Sequence, residues 1–188
     1  VQSCSVIHEN GILCTAFHSP FQFSCLEDDP RALKPSMILL PKVGTAEDAL
    51  TVDAYMTELE EKLGLPANSV GLMPLIETAM GVENAFAIAS ATDRVKALFL
   101  GAEDLTADLQ CKRTKEGREI EYARTRLVVA ARAAGVDVYD TPFTDVNDDE
   151  GIWKDAQLAK ALGFTGKASI SPRHVEVINA VFSPTQQA

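Results

Sequence analysis

Two short apolar runs each end in acidic residues, and those acids are the first groups in the chain with the makings of a site. Val70-Gly71-Leu72-Met73-Pro74-Leu75-Ile76 closes on Glu77-Thr78. Val95-Lys96-Ala97-Leu98-Phe99-Leu100 closes on Gly101-Ala102-Glu103-Asp104-Leu105. Apolar runs of this length, bounded by turn residues, read as buried strands. A helical pattern through Ala79, Val82, Phe86 and Ile88-Ala89 separates them. Strand, helix, strand is a βαβ unit, so the strands should be parallel. Glu77 and Asp104 would then stand at the C-terminal ends of neighbouring strands, where α/β sheets and barrels bind ligands. Two carboxylates at one edge repel unless a cation neutralises them. Mg²⁺ suits them, since it takes one or two carboxylates and fills its shell with water and substrate oxygens. Plain capping is the other reading, because acids are favoured where a helix begins. Spacing alone leaves both open.

The elements that must position these acids follow in order. Residues 1–36 show no clear periodicity beyond a strand around Ile12-Leu13, and form an irregular N-terminal segment. His8 and His18 read as surface or loop residues. Met37-Ile38-Leu39-Leu40-Pro41-Lys42-Val43 is the first convincing strand. Thr45 with Asp48 three residues on makes a near capping box for a helix over 46–64, which stops at Gly64 before Pro66. Lys42 falls at the same strand end as the acids. It would help hold an anionic substrate or simply pair with a nearby acid.

Beyond the central unit, Lys112-Arg113 could meet the phosphates of an acyl carrier or sit solvated in a loop. Gly117 to Ala134 reads as a helix, closed by Gly135. Val136-Asp137-Val138-Tyr139 is the next strand. Asp145-Val146-Asn147-Asp148-Asp149-Glu150-Gly151 fails the EF-hand spacing and reads as a loop entering a helix over 149–162. Phe164 to Ile170 is the last strand, and Ser171-Pro172 opens the last helix with proline at its first position. His174 then falls on the rim.

Composition bounds the function. The chain has 188 residues, 46% hydrophobic and 23% charged, enough for one globular core. A formal net charge of -10 argues against nonspecific binding to nucleic acid or to an anionic membrane. The four cysteines, Cys4, Cys14, Cys25 and Cys111, have no CxxC spacing and read as free thiols of a reducing compartment. No apolar stretch reaches transmembrane length, so a cytoplasmic protein is expected.

Pro-Leu-Ile-Glu-Thr-Ala-Met-Gly at 74–81, followed by Leu-Gly-Ala-Glu-Asp-Leu at 100–105, resembles the citrate lyase beta subunit and its relatives, the acyl-CoA lyases of the HpcH/HpaI aldolase group. Leu-Pro-Lys-Val, the Tyr122-Ala123-Arg124 helix, the Asp145 loop and Gly-Phe-Thr-Gly-Lys with Ser-Pro-Arg-His fall in the same family order. The resemblance covers residues 37–185 in five βα units. It implies a TIM (β/α)8 barrel, of which residues 37–188 form the C-terminal part, with Glu77 and Asp104 as Mg²⁺ ligands. Main-chain N–H groups around Gly101 and Ala102, at a helix N-terminus, could hold a substrate carboxylate.

The implied reaction is carbon–carbon cleavage of a 3-hydroxy acyl thioester, citryl-carrier giving oxaloacetate and an acetyl-carrier. Malyl-CoA or citramalyl-CoA lyase chemistry, or an inactive homologue that only binds a partner, are the alternatives. The implied partners are an acyl carrier protein or CoA thioester, other copies of the chain, and other citrate lyase subunits. The family's substrate-gripping arginine has no counterpart, since the first arginine is Arg31, in a helical segment. No residue stands out as general base. Residues 1–36 are too short for three βα repeats of about 30 residues each. The chain therefore reads as truncated or divergent at both ends, an incomplete barrel without measurable citryl cleavage. Open edges should expose Ile38, Leu40, Leu72 and Phe99.

Overall fold

The computed structural model describes residues 36–183, together with the backbone of Cys14–Ala16. His8, His18 and Arg31 lie outside the described residues. Six strands form one sheet: β1 (Cys14–Ala16), β2 (Met37–Leu40), β3 (Gly71–Ile76), β4 (Ala97–Leu100), β5 (Asp137–Asp140) and β6 (Gly166–Lys167). Each pairs in parallel with the next, in the order β1-β2-β3-β4-β5-β6. Between and after them run α1 (Ala46–Leu63), α2 (Ala79–Glu83), α3 (Ala85–Ala89), α4 (Ala102–Asp108), α5 (Glu121–Ala134), α6 (Asp149–Leu162) and α7 (Pro172–Phe182).

Strand order decides the architecture. A doubly wound sheet reverses direction at a switch point, whereas a barrel adds each strand beside the last. Here there is no reversal. The side chains confirm two distinct faces. Ile38 and Leu72 pack with Ala49, Met56 and Leu59 of α1. Ile76, Leu98, Leu100 and Val138 pack with α3 and with Ala123, Leu127 and Ala131 of α5. The alternate residues Leu39, Met73, Ala97, Phe99 and Tyr139 form a separate cluster with Ala168, facing away from the helices. Helices on one face and a side-chain layer on the other define the arc of an α/β barrel.

The five expected strands are all present. The first strand begins at Cys14, two residues later than the Ile12-Leu13 reading. The last, read as Phe164 to Ile170, keeps ladder pairing only at Gly166–Lys167. The flanking residues still bond to β5: Thr165 N–H donates to Val138 O at 2.8 Å, and Ala168 N–H donates to Asp140 O at 3.0 Å. The helix between β3 and β4 is broken at Asn84, whose Nδ2 donates to Gly44 O at 2.8 Å.

Ile38, Leu72 and Phe99 are buried and Leu40 is half-buried, contrary to the expectation of exposed faces. Ile38 and Leu72 point at α1, which is present in full, and Phe99 is enclosed by its own layer. Residue His174, expected on the rim, has no exposed surface. It opens α7 but turns inward against Phe143, ring centroids 6.2 Å apart.

Candidate active site at the strand ends

Register sets the site. Ile76 pairs with Leu100 across β3 and β4, so the next residues, Glu77 and Gly101, leave the sheet side by side. Leu40 pairs with Pro74, which brings Lys42 to the same level one strand over. Three consecutive strand ends thus deliver three loops to one place.

Glu77 is 6% exposed. Its Oε1 accepts the Lys42 main-chain N–H at 2.8 Å. Its side chain lies across Gly101 so closely that a Cβ there would stand 2.7 Å from Glu77 Cβ and 3.0 Å from Oε2. Only glycine admits that approach. Asp104 sits in the first turn of α4, half exposed. Lys42 Nζ reaches both acids, 2.5 Å from Asp104 Oδ2 and 3.8 Å from Glu77 Oε1. The hydrogen bond to Asp104 holds the Lys42 pKa above its ordinary value. Slight desolvation opposes this, and the fields of Glu77, Asp104 and Asp108 add to it.

Lys42 has a left-handed backbone, φ 54°, which costs a non-glycine residue energy and persists only where its surroundings enforce it. The enforcing contacts are visible. Gly81 of α2 lies against the next loop residue, so that a Cβ would stand 2.5 Å from Val43 O. Asn84 fastens Gly44 from the same side. Thr78 caps α2 by accepting the Gly81 N–H at 3.1 Å, and Asp108 at the end of α4 accepts the Ala79 N–H at 2.7 Å. Loops after β2, β3 and β4 are therefore braced against one another.

The expected carboxylate-binding donors are already engaged. Gly101 N–H donates to Ile76 O at 2.9 Å, and Ala102 N–H to Thr141 Oγ1 at 3.3 Å. Thr141, at the end of β5, escaped the sequence reading, as did Asp108. Nothing in their spacing marks them, because their partners are main-chain groups far away in sequence. Arg113, read as either a phosphate contact or a solvated loop residue, is half of an ion pair with Glu119 at 2.7 Å and approaches Glu103 at 3.6 Å. The Asp145 loop behaves as a helix entry. Asp148 accepts the Gly151 N–H at 2.8 Å, and Lys115 joins Asp145 to Asp148 at 2.6 and 3.1 Å.

Below the strand ends of β5 and β6 lies a buried ionic group. Arg124 spans Asp140 and Asp155, both at 2.8 Å, and Lys167 contacts both acids at 2.6 Å. Lys167 Nζ also donates to Thr141 O at 2.6 Å, which holds the strand end next to Ala102. Burial works against the charge of Arg124 and Asp155, and their partners outweigh it, raising the first pKa and lowering the second. Two positive and two negative groups balance within this network, which braces the loop.

Whether that pair suits a metal can be judged from its donors. Both are carboxylates, the hard oxygen ligands that Mg²⁺ takes. One already buried acid and one exposed acid converge on a single cationic atom, the Lys42 ammonium. Among the described residues, no group of three or more His, Cys, Asp or Glu is placed to hold a metal. Two carboxylates with room for water and substrate oxygens fit Mg²⁺ better than a closed soft-ligand site does.

An arc of a βα barrel with paired acids at its C-terminal mouth places the chain among TIM-barrel-like α/β proteins. It belongs to the HpcH/HpaI aldolase/citrate lyase family, whose profile matches residues 22–172. It is 43% identical to the citrate lyase subunit beta of Leuconostoc mesenteroides subsp. cremoris over 151 residues, 80% of this chain and 50% of that one. It is 34% identical to the mitochondrial citramalyl-CoA lyase of Rattus norvegicus over 163 residues, 81% of this chain and 47% of that one. A solved citrate lyase beta subunit from M. tuberculosis, complexed with oxaloacetate and magnesium, superposes with a TM-score of 0.72 at 26% identity, covering 91% of this chain and 73% of that one. The chain thus spans about half the length of the curated relatives it matches. Among the described residues, no helix is long and apolar enough to cross a membrane.

Proposed function

We propose that this chain carries the metal half of a Mg²⁺-dependent carbon–carbon lyase site that cleaves a 3-hydroxy acyl thioester, with citryl on an acyl carrier as substrate, oxaloacetate and an acetyl thioester as products. The observation that supports this most directly is the convergence of Glu77 and Asp104 on one cation position at the strand ends. When bound, the metal supplies Lewis-acid polarisation of the oxygen that becomes the keto carbonyl. The chain's own residues do the rest of the work at this end. Glu77, held by the Lys42 N–H and by the space over Gly101, presents a fixed carboxylate. Asp104 presents a second one on the solvent side. In the cleavage, the hydroxyl proton leaves and the carbon–carbon electron pair passes to the thioester α-carbon, which is then protonated. The Ala102 N–H, whose bond to Thr141 Oγ1 is long, can exchange that hydroxyl for a substrate carboxylate oxygen at the start of α4.

Identity to citrate lyase beta subunits at 36–43%, against 34% for the citramalyl-CoA lyase, favours citryl over citramalyl. The partners proposed are an acyl carrier thioester, further copies of the chain and other lyase subunits, in a cytoplasmic setting. The test is release of keto acid from citryl, malyl and citramalyl thioesters with and without Mg²⁺, made on the longest form of the protein that its coding sequence gives. Mg²⁺-dependent release with citryl preferred is the expected outcome. Release indifferent to Mg²⁺ would refute the metal reading. Absence of release from all three, with cation binding intact, would point to a homologue that only binds.

A further inference from the structure

We infer that Lys42 is an internal counter-cation for the carboxylate pair, holding the place of the divalent cation and yielding it when the metal binds. This rests on the metal reading of Glu77 and Asp104. Its own ground is the position of the ammonium, which contacts both acids at once. Both Lys42 and Asp104 keep more than half of their side-chain surface in solvent, 66% and 54%, while Glu77 keeps 8%. The arrangement is therefore sided. The buried carboxylate is fixed, and the lysine closes over it from the water side.

Two charges cannot share that position. A divalent cation touching oxygens of both acids would stand where the ammonium now lies, and its repulsion of the ammonium would drive the flexible lysine stem outward. The main-chain N–H of Lys42 is separate from this exchange. It holds Glu77 Oε1 at 2.8 Å whatever the side chain does. Lys42 thus carries two functions on one residue. Its backbone orients Glu77, and its side chain balances the pair until the metal arrives. Displaced, the ammonium would remain at the mouth as a positive charge for an anionic substrate.

Substituting Lys42→Met isolates the side-chain role, because it keeps the stem and the backbone N–H. The measurement is Mn²⁺ binding to the 188-residue chain, followed by the electron paramagnetic resonance of free Mn²⁺. Without its internal competitor the site should bind Mn²⁺ about 1.5- to fivefold tighter, the range expected for exposed ion pairs. Lys42→Arg, which keeps the charge, should stay within about twofold of the parent. In the unsubstituted chain, acylation of the Lys42 amine should speed up severalfold on Mg²⁺ saturation, a readout that needs no variant to fold. Unchanged or weaker Mn²⁺ binding by a folded Lys42→Met, or a Lys42 labelling rate indifferent to Mg²⁺, would overturn the inference while the metal reading stands. A parent chain that binds no Mn²⁺, or an Asp104→Asn variant that binds as the parent does, would overturn both.

Discussion

Glu77 and Asp104 are held in different ways, and their substitutions should fail differently. Asp104 is half exposed in a first helical turn and pairs only at the surface. Asp104→Asn keeps its shape, so stability should change by less than about 0.5 kcal/mol. Divalent-cation binding should fall more than the ~10- to 100-fold that loss of a supporting partner costs, and Mg²⁺-dependent turnover with it. Thermal melting and Mn²⁺ titration measure the two sides, and near-parent turnover with Mg²⁺ would rule out Asp104 as a ligand. Gly101→Ala attacks the other acid. Its φ of -99° suits any residue, so the cost is purely steric, a methyl 2.7 Å from Glu77 Cβ. Overpacking of this kind costs about 1–3 kcal/mol. It should also push Glu77 off the Lys42 N–H, so Mn²⁺ affinity falls even though no ligand is removed. Unaltered affinity in a folded Gly101→Ala would show that Glu77 has slack there. At this scale the sequence was readable where a residue's position follows from its place at a strand end. Glu77, Asp104 and Lys42 were readable in that way. Thr141 and Asp108 were not, because a hydroxyl or carboxylate that accepts a distant main-chain N–H leaves no spacing signal. His174 was misplaced because a histidine near a proline-opened helix start looks exposed until the packing of Phe143 is known.

Among the elements, the far end of the sheet carries the stability that the site end does not. Arg94, with no exposed surface, gathers α1 and the entries to β3 and β4. Its guanidinium donates to Asp53 at 2.6 Å, to Glu60 at 2.8 and 3.0 Å, and to Val70 O at 2.9 Å. Burial pushes the Glu60 carboxyl up. The Arg94 hydrogen bond and charge and the Val70 and Asn68 N–H groups outweigh it, lowering the pKa to about 2. A folded-state pKa below the unfolded 4.5 means that the stabilisation is present above about 4.5 and is lost as pH falls through about 2. Glu60→Gln should cost about 3–5 kcal/mol at neutral pH, since it leaves a buried guanidinium short of charge. It should also flatten the loss of stability between pH 4.5 and 2, as measured by urea unfolding across that range. An equally steep acid dependence in the variant would place the linkage elsewhere. None of this network was read from the sequence, because Asp53, Glu60 and Arg94 look like ordinary surface charges on helix and loop. The elements themselves were legible almost throughout. Helix ends at Gly64, Gly135 and Gly163 coincide with left-handed glycines that terminate α1, α5 and α6. The shortened β6 was not legible, because an apolar run shows burial but cannot show how far regular ladder pairing extends along it.

For the whole molecule, the balance lies between sheet edges and net charge. Among the described residues, β1 pairs only with β2, and β6 only with β5. Strand edges carry unpaired N–H and C=O groups that template association. The β6 edge is short, two residues, which limits how much it can recruit. Opposing association is a formal charge of -10, which makes two copies repel. That repulsion acts over a screening length of about 30 Å at 0.01 M salt and about 8 Å at 0.15 M. Edge pairing is a short-range hydrogen-bonding and packing term that salt barely touches. The two therefore separate experimentally. Sedimentation of the 188-residue chain should show association that strengthens as salt rises from about 0.01 to 0.15 M, because only the repulsive part is screened. If copies were held mainly by complementary charges, salt would weaken the assembly instead. A strictly monomeric chain across that range, at concentrations where the relatives' lyase chemistry is assayed, would mean that both edges are covered within one copy and that self-pairing plays no part.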